Sequence, residues 1–366
     1  MILRRLHVQD FRNLALARLE LGGARQFFYG PNGQGKTNLL EAVGLLGALR
    51  SFRGAEPREL IRHGAAEARV WMELEHERDG RVEIEITLKP QRREVAINGA
   101  RCQRLADFLG RFPTVALSSH DLQLLRGASP LRRRALDLAL ASLDAGYFHS
   151  LRRYQTALDG RNALLRGARR ADAGELAAFE ALMAPEAVTV MAARAAACAA
   201  LGGHLREAYA RLAGGAAEQP GLAYAPDGEA GTAESWRALW ADGRARDGLA
   251  KTTRHGPHRD DFTFLVDGQK ARAFGSEGQQ RGLVVAWRLA QAAWQRERTG
   301  VQPILLADDV LGELDPERRA GFWRAAAALS SREAQVLATG TTLPSGTAEG
   351  WVAWKVKAGE FGKDER

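Results

Sequence analysis

Between Arg25 and Asn98, short runs alternate apolar and polar residues at period two. RQFFY, RVWMELEHE, VEIEITLKP and EVAIN each read as a β-strand, and Asp79-Gly80 and Asn98-Gly99 are the dipeptides of tight hairpin turns. An antiparallel β region follows from this pattern. From about Ser129 to Gly214 the period lengthens. Leu136, Leu140 and Leu143, then Leu151, Tyr154 and Leu158, recur three or four residues apart amid alanine and arginine, which predicts helices. GLAYAPDGEAGTAES, with Pro226 and its glycines, reads as a loop or hairpin tip. Strand character returns in DFTFLVDGQKARAF around the Asp267-Gly268 turn. After it come a long helix, an apolar strand PILLAD, a helix behind Asp315-Pro316, and the strands QVLAT and WVAWKV. Strands and single helices at both ends with helices between them predict a discontinuous α/β domain, residues 1–125 with 256–366, and a helical arm, residues 126–255.

Composition sharpens this picture in three places. The chain has 366 residues, 45% of them apolar, enough to bury a sizeable core. Lys and Arg outnumber Asp and Glu by 52 to 44. The surplus is concentrated: Arg126 to Arg170 holds ten Arg, no Lys and three Asp, so a polyanionic partner is expected to meet the helical middle. Cys102 and Cys198 lie far apart without C-x-x-C spacing, which argues against a disulfide framework or a zinc site and for a reducing compartment. MILRRLHVQDFRN lacks the apolar run of a signal peptide, and no uninterrupted apolar stretch of about 18 residues occurs, so a cytoplasmic protein without a membrane partner is expected.

The candidate chemistry begins at Gly30-Pro31-Asn32-Gly33-Gln34-Gly35-Lys36-Thr37-Asn38. This is a G-x-x-x-x-G-K-T loop between an apolar strand and a helix, the context a P-loop requires. Its glycines let backbone N–H groups converge on phosphate oxygens at a helix N-terminus; Lys36 would bridge the β and γ phosphates of ATP and Thr37 would ligate Mg²⁺. Ile304 to Asp309 is a buried-strand pattern ending in two carboxylates. Asp308 is expected to hold the metal and Asp309 to orient or deprotonate the attacking water. Ser276-Glu277-Gly278-Gln279 opens the long helix as a cap and anion site. The order P-loop, Ser-x-Gly-Gln, acidic strand is that of ABC-type ATPases, in which the serine motif of one subunit meets the γ-phosphate held by another.

FRN (Phe11 to Asn13), GPNGQGKTNLLEA, SPLRRRALD (Ser129 to Asp137), GPHRDDF (Gly256 to Phe262), FGSEGQQR and DDVLGELD together resemble the RecF family of bacterial recombination mediators, relatives of the SMC and Rad50 heads, from one end of the chain to the other. The resemblance implies an ABC-type (SMC/Rad50-head-like) P-loop ATPase domain with an inserted helical arm. It also implies an ATP-dependent homodimer on gapped or duplex DNA, working with RecO and RecR to load RecA in recombinational repair. Arg12 and Asn13 match nucleotide-contacting positions of the related heads, and Asp315 falls in the loop that touches the opposite subunit's nucleotide. His258, Arg259 and Asp260 are expected to serve as a structural ion-pair cluster. Arg132, Arg133, Arg134, Arg152 and Arg153 are the expected DNA-phosphate contacts; Trp, Tyr and Phe are not interleaved with them in the way a single-strand stacking surface requires, which favours duplex backbone over stacked single strand. Two departures stand out. LSSHDL places Ser119 and His120 where the RecF pattern has a proline and a glutamate, so no lid residue is assigned. Where transporters carry a histidine, Ala338-Thr339-Gly340-Thr341 offers a hydroxyl, and Thr339 is expected to sense the γ-phosphate. With Asp309 in place of a glutamate, slow hydrolysis suited to a switch is expected. The alternatives are a transporter's nucleotide-binding subunit, which needs a membrane partner, an SMC-like clamp, which needs longer heptads, and another P-loop enzyme such as a kinase, which FGSEGQQR disfavours.

Overall fold

The computed structural model describes residues 1–364, apart from 105–106, 168–170, 214–217, 229–230, 311, 313, 315, 329–333 and 344–349. In chain order the strands are β1 (Ile2–Phe11), β2 (Leu14–Glu20), β3 (Arg25–Tyr29), β4 (Ala68–His76), β5 (Gly80–Lys89), β6 (Arg92–Ile97), β7 (Ala100–Arg101), β8 (Thr114–Ser118), β9 (Pro220–Ala225), β10 (Asp261–Val266), β11 (Gln269–Lys270), β12 (Ile304–Asp308), β13 (Val336–Gly340), β14 (Trp351–Lys357) and β15 (Glu360–Asp364). The helices are α1 (Lys36–Ala48), α2 (Pro57–Leu60), α3 (Leu122–Arg126), α4 (Ser129–Ala141), α5 (Ala145–Arg166), α6 (Ala173–Leu212), α7 (Ala233–Ala250), α8 (Ala271–Phe274), α9 (Glu277–Thr299) and α10 (Pro316–Ala328).

The chain divides into two compact units. The first holds Met1–Leu122, His204–Glu218 and Ser276–Arg366. It contains an antiparallel sheet ordered β2-β1-β4-β5-β6-β7 and a second sheet ordered β15-β14-β3-β13-β12-β8. In the second sheet β14, β3, β13, β12 and β8 run parallel. Every residue of β12 and β13 is buried, as a parallel strand covered on both faces must be, and this is why both read as continuous apolar runs. The strands of the antiparallel sheet alternate instead, with Leu6, Val8, Val70, Met72, Ile84 and Ile86 inward. Helix α1 is buried on most sides, with Leu39, Leu40, Val43 and Leu46 in a core cluster that takes residues from both sheets. That placement fixes the loop in front of α1 at the C-terminal edge of the parallel strands, where open α/β sheets bind ligands.

The second unit comprises Gln123–Gly203 and Gln219–Gly275. Its helices pack Tyr154, Leu158, Met183 and Ala187 against Trp236 and Trp240, whose rings lie 5.0 Å apart one helical turn from each other. Both divides differ from the expected 126–255. β10 pairs along its whole length with β9, from Asp261↔Ala225 to Val266↔Pro220, so DFTFLV belongs to the helical unit, and the expected loop tip begins as a strand. Conversely, His204–Glu218 groups with the first unit because Tyr209 packs on Gly282 and Leu212 on Gly321. Helix α6 is, by length and composition alone, apolar enough to cross a membrane, with mean hydropathy 1.4 in its most apolar window. Yet its Glu180 and Arg194 are buried and ion-paired within the second unit, and its Met183, Ala184 and Ala187 sit in that unit's core.

Arg161, with no exposed surface, donates to Glu180 (3.0 and 3.2 Å), Asp247 (2.8 Å) and the Thr253 hydroxyl (2.7 Å), joining α5, α6 and α7 through one guanidinium. Removing one member of such a set strands the others in a low dielectric. Arg161→Met is expected to destabilise the protein by about 3–5 kcal/mol, visible as an earlier denaturant midpoint; an unchanged midpoint would mean that the carboxylates find water or other partners.

Candidate nucleotide site and basic surface

The P-loop backbone dictates its glycines. Gly30 has φ 150°, and a Cβ there would overlap the Val356 carbonyl oxygen of β14. Gly35, with φ 107°, starts α1, and a Cβ would come within 2.7 Å of Leu14. Lys36 is 7% exposed and donates from Nζ to the Gly30 and Pro31 carbonyls, each at 2.7 Å. Burial pushes its pKa below the usual lysine value, against the pull of Asp309 and Asp308. Those two carbonyls hold the ammonium where a phosphate oxygen would take it over. Gln34 binds the β14–β15 turn: its side-chain oxygen accepts from Ala358 N (2.6 Å) and its carbonyl from Gly359 N (2.9 Å). Asn13 donates to the Gly33 carbonyl (3.2 Å) and accepts from Asn38 (2.7 Å). Arg12 forms a two-pronged pair with buried Glu41, 2.9 Å on each prong, so most of its guanidinium is committed to the protein.

The acids stand next to this loop. One oxygen of Asp308 accepts from the Thr37 hydroxyl and from the Thr339 hydroxyl, both at 2.8 Å. Asp309 occupies the left-handed region, φ 55°, and burial together with the Asp308 charge raises its pKa, opposed by Lys36. Thr339 therefore lines the site with its hydroxyl proton already directed at a carboxylate. The pairing of a hydroxyl and a carboxylate oxygen is the donor set a hard cation takes. A cavity of about 640 Å³ opens over the loop, lined by Arg12, Asn13, Asn32 to Asn38, Asp309 and Thr339. Arg53, Glu59, Ile61 and His63 complete its wall. Sequence reasoning missed these four: the wall is brought in by the Phe11–Ile61 bridge between distant segments, and no local motif marks it.

Ser276 caps α9 as expected: its hydroxyl accepts from Gln279 N (3.2 Å) and its own N–H donates to the Gln279 side chain (2.7 Å). Gln279 also donates to Glu218 (2.9 Å), and a Cβ at Gly278 would displace the guanidinium end of Arg318. None of the three lines the cavity of its own chain. Asp315 lies outside the described residues. Ser119 and His120 are exposed, whereas Asp121 pairs with Arg288 at 2.6 and 3.0 Å.

The basic surface needs correction. Arg132 is 8% exposed and grips Asp261 at 2.7 and 2.8 Å, with further bonds to the Leu124 and Gly127 carbonyls. Arg133 donates to the Asp260 carbonyl (2.6 Å) and the Ser129 hydroxyl (3.0 Å), and burial lowers its pKa. Both are tied to the protein by hydrogen bonds, Arg132 buried and Arg133 half-buried. Arg153 is exposed but paired with Glu186. Arg134 and Arg152 are exposed with no carboxylate partner among the described residues; Arg152 lies 5.8 Å from the Phe148 ring centre. Asp260 is fully buried beneath Arg194 and Tyr224, and His258, its pKa lowered to about 4 mainly by burial, bonds to Tyr154 (2.7 Å). Asp260 and His258 are thus tied into the packing of the second unit, whereas Arg259 is exposed, so the expected ion-pair cluster reduces to Asp260 with Arg194.

A sequence profile described as RecF/RecN/SMC N terminal domain matches residues 2–349. The chain is 37% identical to the DNA replication and repair protein RecF of Moorella thermoacetica, covering 86% of this chain and 84% of that one. It is 38% identical to that of Gloeobacter violaceus, covering 87% of each. This chain belongs to the RecF family. A solved structure of the recombination mediator protein RecF with ATP in the RecFOR pathway superposes on this RecF-family chain with a TM-score of 0.88 at 27% identity, over 99% of this chain and 97% of that one. An Smc head domain with an extended coiled coil matches at 0.54 and 18% identity, which shows the fold alone. The fold is the mixed α/β ABC-type ATPase head, and its family is one of DNA replication and repair proteins. If Lys36 carries the phosphate charge, Lys36→Ala weakens ATP binding by about 10- to 100-fold with the circular dichroism spectrum unchanged; equal affinity in a calorimetric titration would make the loop purely structural.

Proposed function

We propose that this protein is an ATP-switched, DNA-binding dimer of recombinational repair and replication restart, acting in the cytoplasm with RecO- and RecR-type mediators to load RecA. The observation that carries the reading is the division of the ATP site. Lys36, Thr37 and Asp309 line one cavity, with Asp308 accepting the Thr37 hydroxyl behind it, while Ser276, Gly278 and Gln279, which the ABC arrangement places on the γ-phosphate, do not line it. A second copy would supply them. On this reading Lys36 leaves the Gly30 and Pro31 carbonyls for the β and γ phosphates, the loop N–H groups and the α1 terminus hold their charge, and Asp309 positions the attacking water. Mg²⁺, held by Thr37 and Asp308, would neutralise phosphate charge. The short side chain of Asp309, one methylene less than a glutamate's, favours slow turnover. The relatives' names and the RecFOR structure support the repair role and its partners.

Ser276→Arg is expected to bind ATP with parental affinity yet sediment as a monomer with it, because the long cation occupies the approach of the partner's phosphate. A dimer at parental strength would reduce Ser276 to a helix cap. For DNA, exposed Arg134 and Arg152 replace Arg132 and Arg133, which bond to the protein, as the proposed phosphate contacts. Each contact releases condensed counterions, so the double Ala variant should weaken all duplexes alike and flatten the slope of log affinity against log salt by up to about 1.8. Parental affinity and slope in the variant would place the DNA surface elsewhere.

A further inference from the structure

Thr339 is 1% exposed at the end of β13, and its one hydroxyl does two things at once. Its proton goes to Asp308 Oδ1 at 2.8 Å, and its oxygen accepts from the backbone N–H of Asp309 at 2.9 Å. A hydroxyl has a single donor. A γ-phosphate offers only acceptors, so Thr339 can donate to it only by releasing Asp308. Asp309 meanwhile stands at φ 55°, in the left-handed region, which costs most non-glycine residues some strain and which aspartate tolerates better than most. The Thr339 oxygen is the partner of the N–H in that turn. Thr37 contributes its own hydroxyl to the same Asp308 oxygen at 2.8 Å, which leaves the second carboxylate oxygen free of these two bonds.

We infer that Thr339 is a positioning residue, not a phosphate sensor: through one hydroxyl it orients the Asp308 carboxylate toward a divalent cation and holds the left-handed turn that presents Asp309 to water. This rests on the ATPase reading above and specifies which group sets the geometry of both acids. Groups that orient a metal's ligands typically change metal affinity or activity 10- to 100-fold when removed. Valine has nearly the shape of threonine and lacks the hydroxyl; serine keeps the hydroxyl and lacks the methyl.

The test titrates Mn²⁺, read by electron paramagnetic resonance, into full-length protein saturated with ATP, alongside steady-state turnover. Thr339→Val should bind Mn²⁺ about 10- to 100-fold more weakly and lose turnover by a similar factor, while its metal-free ATP affinity stays within about twofold of the parental value. Thr339→Ser should restore both. Should the Val variant fail to fold, Thr339→Ala removes the same hydroxyl and carries the same expectation. Parental Mn²⁺ affinity in a folded Val or Ala variant overturns the inference, as does a Ser variant no better than Val, which would assign the role to methyl packing. A parental protein that binds neither ATP nor Mn²⁺ with ATP defeats the nucleotide reading itself, and with it this inference.

Discussion

The parallel register of β3, β13 and β12 governs the site. Gly340 is level with Tyr29 and Ala307 with Ala338, so the P-loop, Thr339 and Asp308 leave the sheet at one edge. There a single carboxylate oxygen collects two hydroxyls, one from α1 and one from β13. A one-residue slip of any of these strands would turn its end residue to the other face and disperse the group. A slip would also break the ladder that pairs Leu305 with Val336 and Leu306 with Leu337 in strands covered on both faces, where unpaired backbone groups are costly. The core and the chemistry therefore depend on the same register.

What the sequence disclosed was local. Gly30 to Asn38, the strand ending at Asp308 and the cap at Ser276 each lie within a few residues, and their backbone requirements, left-handed glycines and an N-cap hydroxyl, are visible in residue type. The basic surface was not legible because its decisive partners are remote. Arg132 looks like any surface arginine until Asp261, 129 positions away, neutralises it. The same holds for Arg161 with Asp247, and for Gln34, whose hydrogen bonds to the β14–β15 turn span 324 residues. The strand in PGLAYA was hidden by its glycine and by the proline and glycines that follow, and only its pairing with β10 reveals it. Charge density thus predicted a cationic unit but not which cations face solvent.

These corrections change the form of the DNA-binding claim more than its direction. Two exposed arginines make a weaker electrostatic footprint than five, so one copy alone would hold duplex loosely at physiological salt. Joining two copies makes the second engagement effectively intramolecular and raises the apparent affinity without any new contact. A switch would result if ATP is what joins them: the nucleotide would complete its own site from two chains and couple occupancy to DNA retention. The most direct test is sedimentation velocity of the parental protein with and without Mg²⁺-ATP, in the presence and absence of duplex DNA. The account predicts monomers without nucleotide, a dimer with it, and a dimer–duplex complex that forms far more tightly with ATP than without. A protein whose oligomeric state and duplex binding are the same with and without ATP would contradict it.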